Sequence, residues 1–289
     1  VDVPSPSVPT ARAAAARRLA GWIGPEPLAV KVPEITVLFW VVKLLTTAAG
    51  EATSDYLSLH RVAVGGAVEV LIAVVAFFWQ FRTRRYVAAA YWFLALAIAI
   101  FGTGVADVMH KGFGIPYAGT SVLWAVVLAA VFWQWHRSER TLSIHSITTR
   151  RRELYYWATV FATFALGTAL GDFTASALGL GYLASGIVFA VVFCVPAVAW
   201  GAFGANSVFC FWFAYVLTRP LGASFADYLS KSHALSGLDF GDGPTAVVMT
   251  IPIVVLVAYL TVTRIDIQPH HHGAHRRGIH PEEPTARGA

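Results

Sequence analysis

Apolar runs recur along the chain at a length that suits membrane helices. They lie near residues 34–57, 61–81, 85–109, 115–135, 153–177, 180–201, 206–230 and 244–264. Each is long enough to cross roughly 30 Å of hydrocarbon as a helix. The runs do not alternate with period two over about ten residues, as the strands of a membrane barrel do. The pattern predicts an all-α membrane protein with eight transmembrane helices. Polar positions inside the odd-numbered runs keep one register. An aromatic residue and Trp are followed ten residues later by Gly, and four further on by a small residue and Asp. The four copies read Phe39-Trp40…Gly50…Ser54-Asp55, Tyr91-Trp92…Gly102…Ala106-Asp107, Tyr156-Trp157…Gly167…Gly171-Asp172 and Phe211-Trp212…Gly222…Ala226-Asp227.

A repeat at fixed spacing sets the architecture. Each unit holds one odd and one even helix, so successive copies are parallel and related by an axis along the membrane normal. The predicted repeats cover about 33–82, 85–136, 150–202 and 205–264, within a membrane domain of 33–265. Residues 1–32 and 266–289 read as tails. Even helices echo one another too, with Phe77-Phe78-Trp79-Gln80 matching Val131-Phe132-Trp133-Gln134. The polar stretch 136–152 is expected to separate two halves of two repeats each. The pattern resembles a family of uncharacterised bacterial membrane proteins built from four tandem two-helix repeats, each with a signature tryptophan. Trp40, Trp92, Trp157 and Trp212 carry the resemblance over about residues 33–265. It implies the architecture and a bacterial source, and no activity.

Composition agrees with a polytopic chain: 57% of residues are hydrophobic and 13% charged, against about 25% charged in soluble domains. Of the 21 Lys and Arg residues, sixteen fall in the tails and in loops two and four, and three (Arg61, Lys111, Lys231) on the opposite side. The positive-inside rule then places both termini in the cytoplasm of a bacterial inner membrane. The net charge of +5 is therefore topological, and a nucleic-acid partner is not expected. The partners expected are the lipid bilayer and a cation or small solute; no oligomeric interface is legible. Cys194 and Cys210 read as buried hydrophobes. No cleavable signal peptide is expected, because the N-terminus lacks an apolar core. Residues 11–24 suit either a basic surface helix or a disordered tail.

Fifteen helical residues rise about 22 Å. With each Trp at the cytoplasmic interface as an aromatic anchor, each Asp reaches the outer edge of the hydrocarbon. Gly50, Gly102, Gly167 and Gly222 open small-xxx-small pairs, which let helices approach closely. Asp55, Asp107, Asp172 and Asp227 are the candidate chemistry, because an intramembrane ionisable group is a functional hypothesis by default. The alternative is a set of polar clamps between helices. Glu51 and Glu69 add carboxylates. Lys43 and Arg219 supply counter-charge or an internal pair, and Lys43 could instead snorkel. Repeats two and three carry Thr103 and Thr168 where repeat one has Glu51, and Pro220 should kink its helix or free a carbonyl. Carboxylates and hydroxyls suit hard cations such as Mg, Ca or Mn. His60, His110 and His233 flank the outer ends. His270, His271, His272 and His275 in the tail could hold Zn, Ni or Cu, or form an inert tail.

No nucleotide-binding, metalloprotease or hydrolase motif is present, no central His suits a haem, and no cofactor is expected. The leading expectation is a non-enzymatic inner-membrane transporter with a carboxylate-lined site near the outer face, for a divalent metal or a proton-coupled solute. A membrane scaffold or accessory subunit is the second, and an acid/base enzyme the third.

Overall fold

The computed structural model describes residues 26–59 and 62–268. These hold eight α-helices and no strand. They are α1 (Val37–Ser58), α2 (Val62–Arg82), α3 (Ala88–Asp107), α4 (Tyr117–Glu139), α5 (Arg150–Asp172), α6 (Gly181–Phe203), α7 (Ser207–Ser230) and α8 (Asp242–Thr263). Seven are long and apolar enough to cross a membrane; α1 carries Lys43, Glu51 and Asp55 and falls outside that criterion. The helices lie where the hydropathy pattern predicts them, to within a few residues. Polar caps fix the starts of three odd helices. Thr36, Thr149 and Asn206 accept from the backbone N–H of Phe39, Arg152 and Phe209 at 3.3, 3.3 and 3.1 Å.

The odd helices form an inner ring in the order α1, α3, α5, α7, with α7 returning to α1. Each even helix packs outside the next odd one: α2 on α3, α4 on α5, α6 on α7, and α8 back on α1. Two sets of contacts show why the motif repeats. The aromatic residue before each Trp packs on the Trp of the next inner helix: Phe39 on Trp92, Tyr91 on Trp157, Tyr156 on Trp212 and Phe211 on Trp40, at centroid separations of 5.6, 5.2, 6.0 and 5.8 Å. Two turns or more along, each motif glycine faces the residue seven after the next Trp. A methyl group on Gly50 would overlap Ala99, on Gly102 would come 2.8 Å from the Phe164 Cβ, on Gly167 would overlap Arg219, and on Gly222 would overlap Thr47. Both sets advance in the same direction on every helix, so the inner helices are parallel and the ring closes.

Outer helices turn apolar side chains outward, among them Val74 and Phe78 on α2, Val126 and Trp133 on α4, Val191 on α6 and Val254 on α8. Such a continuous apolar surface suits lipid. Two sequence readings change here. Trp92, Trp157 and Trp212 are buried and Trp40 is half-buried, so three of the four signature residues interlock helices instead of anchoring at an interface. The reason is the close aromatic partner on each neighbouring helix. The 136–152 stretch is no divider between halves. Ile144 and Ile147 are buried, and Leu142 O accepts from the Trp212 indole at 2.9 Å.

Residues 26–36 are likewise not a free tail. The backbone N–H groups of Leu28, Lys31 and Glu34 bond to the carbonyls of Arg84, Ile147 and Asp266. Lys31, a charge of the expected N-terminal tail, is buried 2.9 Å from Glu153, which also pairs with Arg150 and accepts from Gln80. Burial lowers the pKa of Lys31, and the Glu153 carboxylate opposes that shift. Beyond α8, Asp266 accepts from the Tyr86 hydroxyl, and Gln268 donates to the carbonyls of Val32 and Pro33. Burial raises the pKa of both Tyr86 and Asp266. The end of the bundle that carries the tryptophans is thereby closed. Residues 11–24, His60 and the tail histidines His270, His271, His272 and His275 lie outside the described residues.

Candidate carboxylate site on the ring axis

The register that interlocks the helices also stacks their remaining polar residues in layers on the axis. Side chains four apart lie on one face of a helix, so positions three, seven, eleven and fifteen after each Trp follow one another inward from the four parallel helices. The fifteenth positions are the four Asp residues. Glu51, Asp55 and Asp227 offer carboxylate oxygens that all lie within 4.8 Å of one another. Repeats one and four therefore bring their carboxylates together.

Two lysines absent from the sequence inventory of the site enter this layer. Lys231 pairs with Asp55 on α1, with Asp242 at the start of α8 (3.0 Å) and with Asp227 (3.8 Å). Burial lowers the pKa of Lys231, but the carboxylates of Asp55, Asp227 and Asp242 outweigh it and hold the ammonium above its usual range. Lys111 pairs with Asp107 at 2.6 Å. Each lysine follows its Asp by four residues, which is the spacing of a helical ion pair; that signal was present in the sequence. Asp172 has no hydrogen bond or ion pair among the described residues, and neither does the buried Asp227 Oδ1 have a hydrogen-bond partner there. In repeats two and three the helix widens immediately after the Asp into π turns, Val108–Gly112 and Phe173–Ala177. Such turns are frequent at functional sites.

One turn deeper lie Glu51, Thr103, Thr168 and Ala223, with the Arg219 guanidinium across them. Its Nη2 donates to Glu51, to Thr103 and, at 2.8 Å, to Thr168; its Nη1 donates to Thr47 O at 2.8 Å. Thr103 donates to Glu51 at 3.1 Å. One side chain thus ties α7 to α1, α3 and α5 at the level where the copies differ most. Pro220 does not break α7, which runs unbroken through it, and Gly167 leaves room for Arg219 and Pro220. Glu69 comes from α2. It accepts from Ser54 at 2.6 Å and lies against Gly104, where a methyl group would overlap its carboxylate.

Deeper again, Lys43 is fully buried, with Nζ 4.0 Å from the Phe164 ring centroid and 4.1 Å from that of Tyr215. It does not snorkel. His110 and His233 bond through Nδ1 to Ile115 O and Gly237 O, each at 2.8 Å, and so brace the outer turns. Neither belongs to the Glu51–Asp55–Asp227 group. An apolar groove of about 580 Å³ between α2, α3 and α5, lined by residues such as Val74, Leu94 and Phe161, lies on the outer surface and includes none of the carboxylates.

Four parallel two-helix repeats closed around a charged axis define a helical, membrane-type repeat protein. The chain belongs to the family described as "Repeat of Unknown Function (DUF347)", whose sequence model matches residues 90–141, 155–205 and 210–266. Those segments are repeats two to four. The first repeat, α1 and α2, lies outside them and takes the fourth place in the ring by the same contacts. Among curated proteins and solved structures nothing matches the chain.

Proposed function

We propose that this protein is a multi-pass bacterial inner-membrane carrier, not an enzyme, for a hard cation. A divalent metal is the first choice and a proton-coupled small solute the second. Its site is the carboxylate cluster at the outer end of the ring. The convergence of Glu51, Asp55 and Asp227 within 4.8 Å carries the reading. All-oxygen ligand sets of this kind suit Mg, Ca and Mn. The distribution of Lys and Arg orients the chain with both termini inside, α1 crosses as an eighth span, and the cluster then faces outward. The charges of α1 are compatible with crossing because Lys43 and Glu51 are buried inside the bundle and Asp55 is held by Lys231.

In this account Lys231 is a tethered cation that an incoming ion displaces from Asp55 and Asp227. Arg219 closes the axis beneath the site and shares Glu51 with it. Release to the other side requires the guanidinium to let go of α1, α3 and α5. Titration calorimetry of the purified protein with Mn²⁺ tests the site. Wild type is expected to bind, and Asp55→Asn and Asp227→Asn to weaken binding at least tenfold; equal binding by all three removes the proposal.

The internal ion pairs favour a second reading. Lys231 and Lys111 already neutralise three of the repeat carboxylates, as suits a membrane scaffold or accessory subunit. On that reading the Asn variants lower the thermal midpoint and wild type binds no Mn²⁺.

A further inference from the structure

Lys43 lies on the axis below the cation site and contacts none of its carboxylates. Its ammonium nitrogen has no hydrogen-bond partner among the described residues. The matching positions of the other copies are Ala95, Val160 and Tyr215, so the lysine is a departure made in the first repeat alone. Burying an unpaired ammonium is costly, and two aromatic faces offset only part of that cost.

The groups facing it do not close that gap. From α7 come the Tyr215 ring and Arg219, which repels it. From α5 comes the Phe164 ring, and α3 offers Ala95 and Ala99 at this level. On α1 itself Glu51 stands two turns away and is held by Arg219. The titratable groups of α2 and α8 are engaged or turned outward: Glu69 accepts from Ser54, Arg82 lies over the Phe78 ring, Asp242 pairs with Lys231, and Tyr259 is exposed. Lys43 is therefore a buried cation that faces one guanidinium and two aromatic rings and meets no carboxylate directly.

We propose that Lys43 is the proton-carrying group of a cation–proton exchange, in which a cation at Glu51, Asp55 and Asp227 and a proton on Lys43 exclude each other. The inference rests on the cation-site reading above. A cation that takes Glu51 removes part of the counter-charge from Arg219, whose field then acts on Lys43. The ammonium N–H bond breaks, the electron pair stays on the nitrogen, and the proton leaves to water. When the cation departs, Glu51 again neutralises Arg219 and the amine recovers a proton. Tyrosine side chains lie between Lys43 and the closed end. Lys43 lies over the Tyr215 ring, Tyr156 and Tyr91 share a hydrogen bond, the Tyr86 ring lies 5.7 Å from that of Tyr91, and the Tyr86 hydroxyl donates to Asp266. Linkage makes the coupling reciprocal.

Calorimetric titration of the full chain with Mn²⁺, run in two buffers of different ionisation enthalpy, counts protons released per ion bound. Wild type is expected to release about one proton more than Lys43→Met, in keeping with metal binding that displaces protons. Lys43→Met should keep its Mn²⁺ site and melt no lower than wild type, since it loses an uncompensated charge; Lys43→Leu should behave alike. Equal proton release by wild type and either folded variant overturns the proposal while leaving the cation site standing. Absence of Mn²⁺ binding in wild type overturns the cation site and this inference with it.

Discussion

At the scale of single residues, Arg219 and Glu51 have the largest consequences. Both are buried, and the guanidinium reaches all three other inner helices. Removing one partner of a buried pair leaves an uncompensated charge and costs about 3–5 kcal/mol. Glu51→Gln and Arg219→Met should each lower the thermal midpoint strongly. The double variant Glu51→Leu with Arg219→Met should melt above either single one, and a simple sum of the two losses contradicts the pairing. The motif glycines carry a second prediction. Gly222→Ala drives a methyl group into Thr47, whereas Gly66 has nothing within 4 Å of such a methyl. Overpacking costs about 1–3 kcal/mol. The Gly66→Ala change should be neutral or stabilising by up to about 1 kcal/mol, as helix propensity dictates. Comparable melting of the two variants would argue against the close approach of α7 to α1.

At the scale of elements, the aromatic-Trp pair and the glycine two to three turns later act together. They set the neighbour, the level and the parallel direction of each inner helix. The signature tryptophan is therefore a packing residue, and its replacement separates that role from interface anchoring. Trp157→Ala should cost about 3–5 kcal/mol, as large aromatic truncations in a core do. Trp133, 60% exposed on α4, should change stability by no more than about 0.5 kcal/mol when replaced by Ala. Chemical unfolding in mixed micelles reads both, and equal losses contradict the interlock. Among the described residues, π turns follow the repeat Asp only in repeats two and three, after Asp107 and Asp172. They give those two carboxylates a wider helical seat than Asp55 and Asp227, which Lys231 holds directly.

At the scale of the whole molecule, the repeat made much of the fold legible. Helix positions, parallel copies and the meeting of Asp55 with Asp227 all follow from one register kept four times. Closure of α8 onto α1 and the packing of the 26–36 segment did not follow, because they join residues distant in the chain that share no pattern. The site was legible as a set of carboxylates, and its cations only in part. Lys111 and Lys231 announced themselves by spacing but were counted as loop charges. Arg219 and Glu51 stood out as departures from the repeat, yet nothing local could pair residues 168 positions apart. The inferred orientation predicts that an impermeant thiol reagent labels Ser236→Cys on intact spheroplasts and Ser138→Cys only after permeabilisation, in a background without Cys194 and Cys210; the reverse pattern inverts the site. The central claim is that the converging carboxylates bind a transported cation, and Mn²⁺ uptake into proteoliposomes tests it most directly. Wild type should carry Mn²⁺ down its gradient, with Asp55→Asn, Asp107→Asn and Asp227→Asn each slowed at least tenfold. Flux unchanged in all three variants, or absent in wild type, contradicts the account.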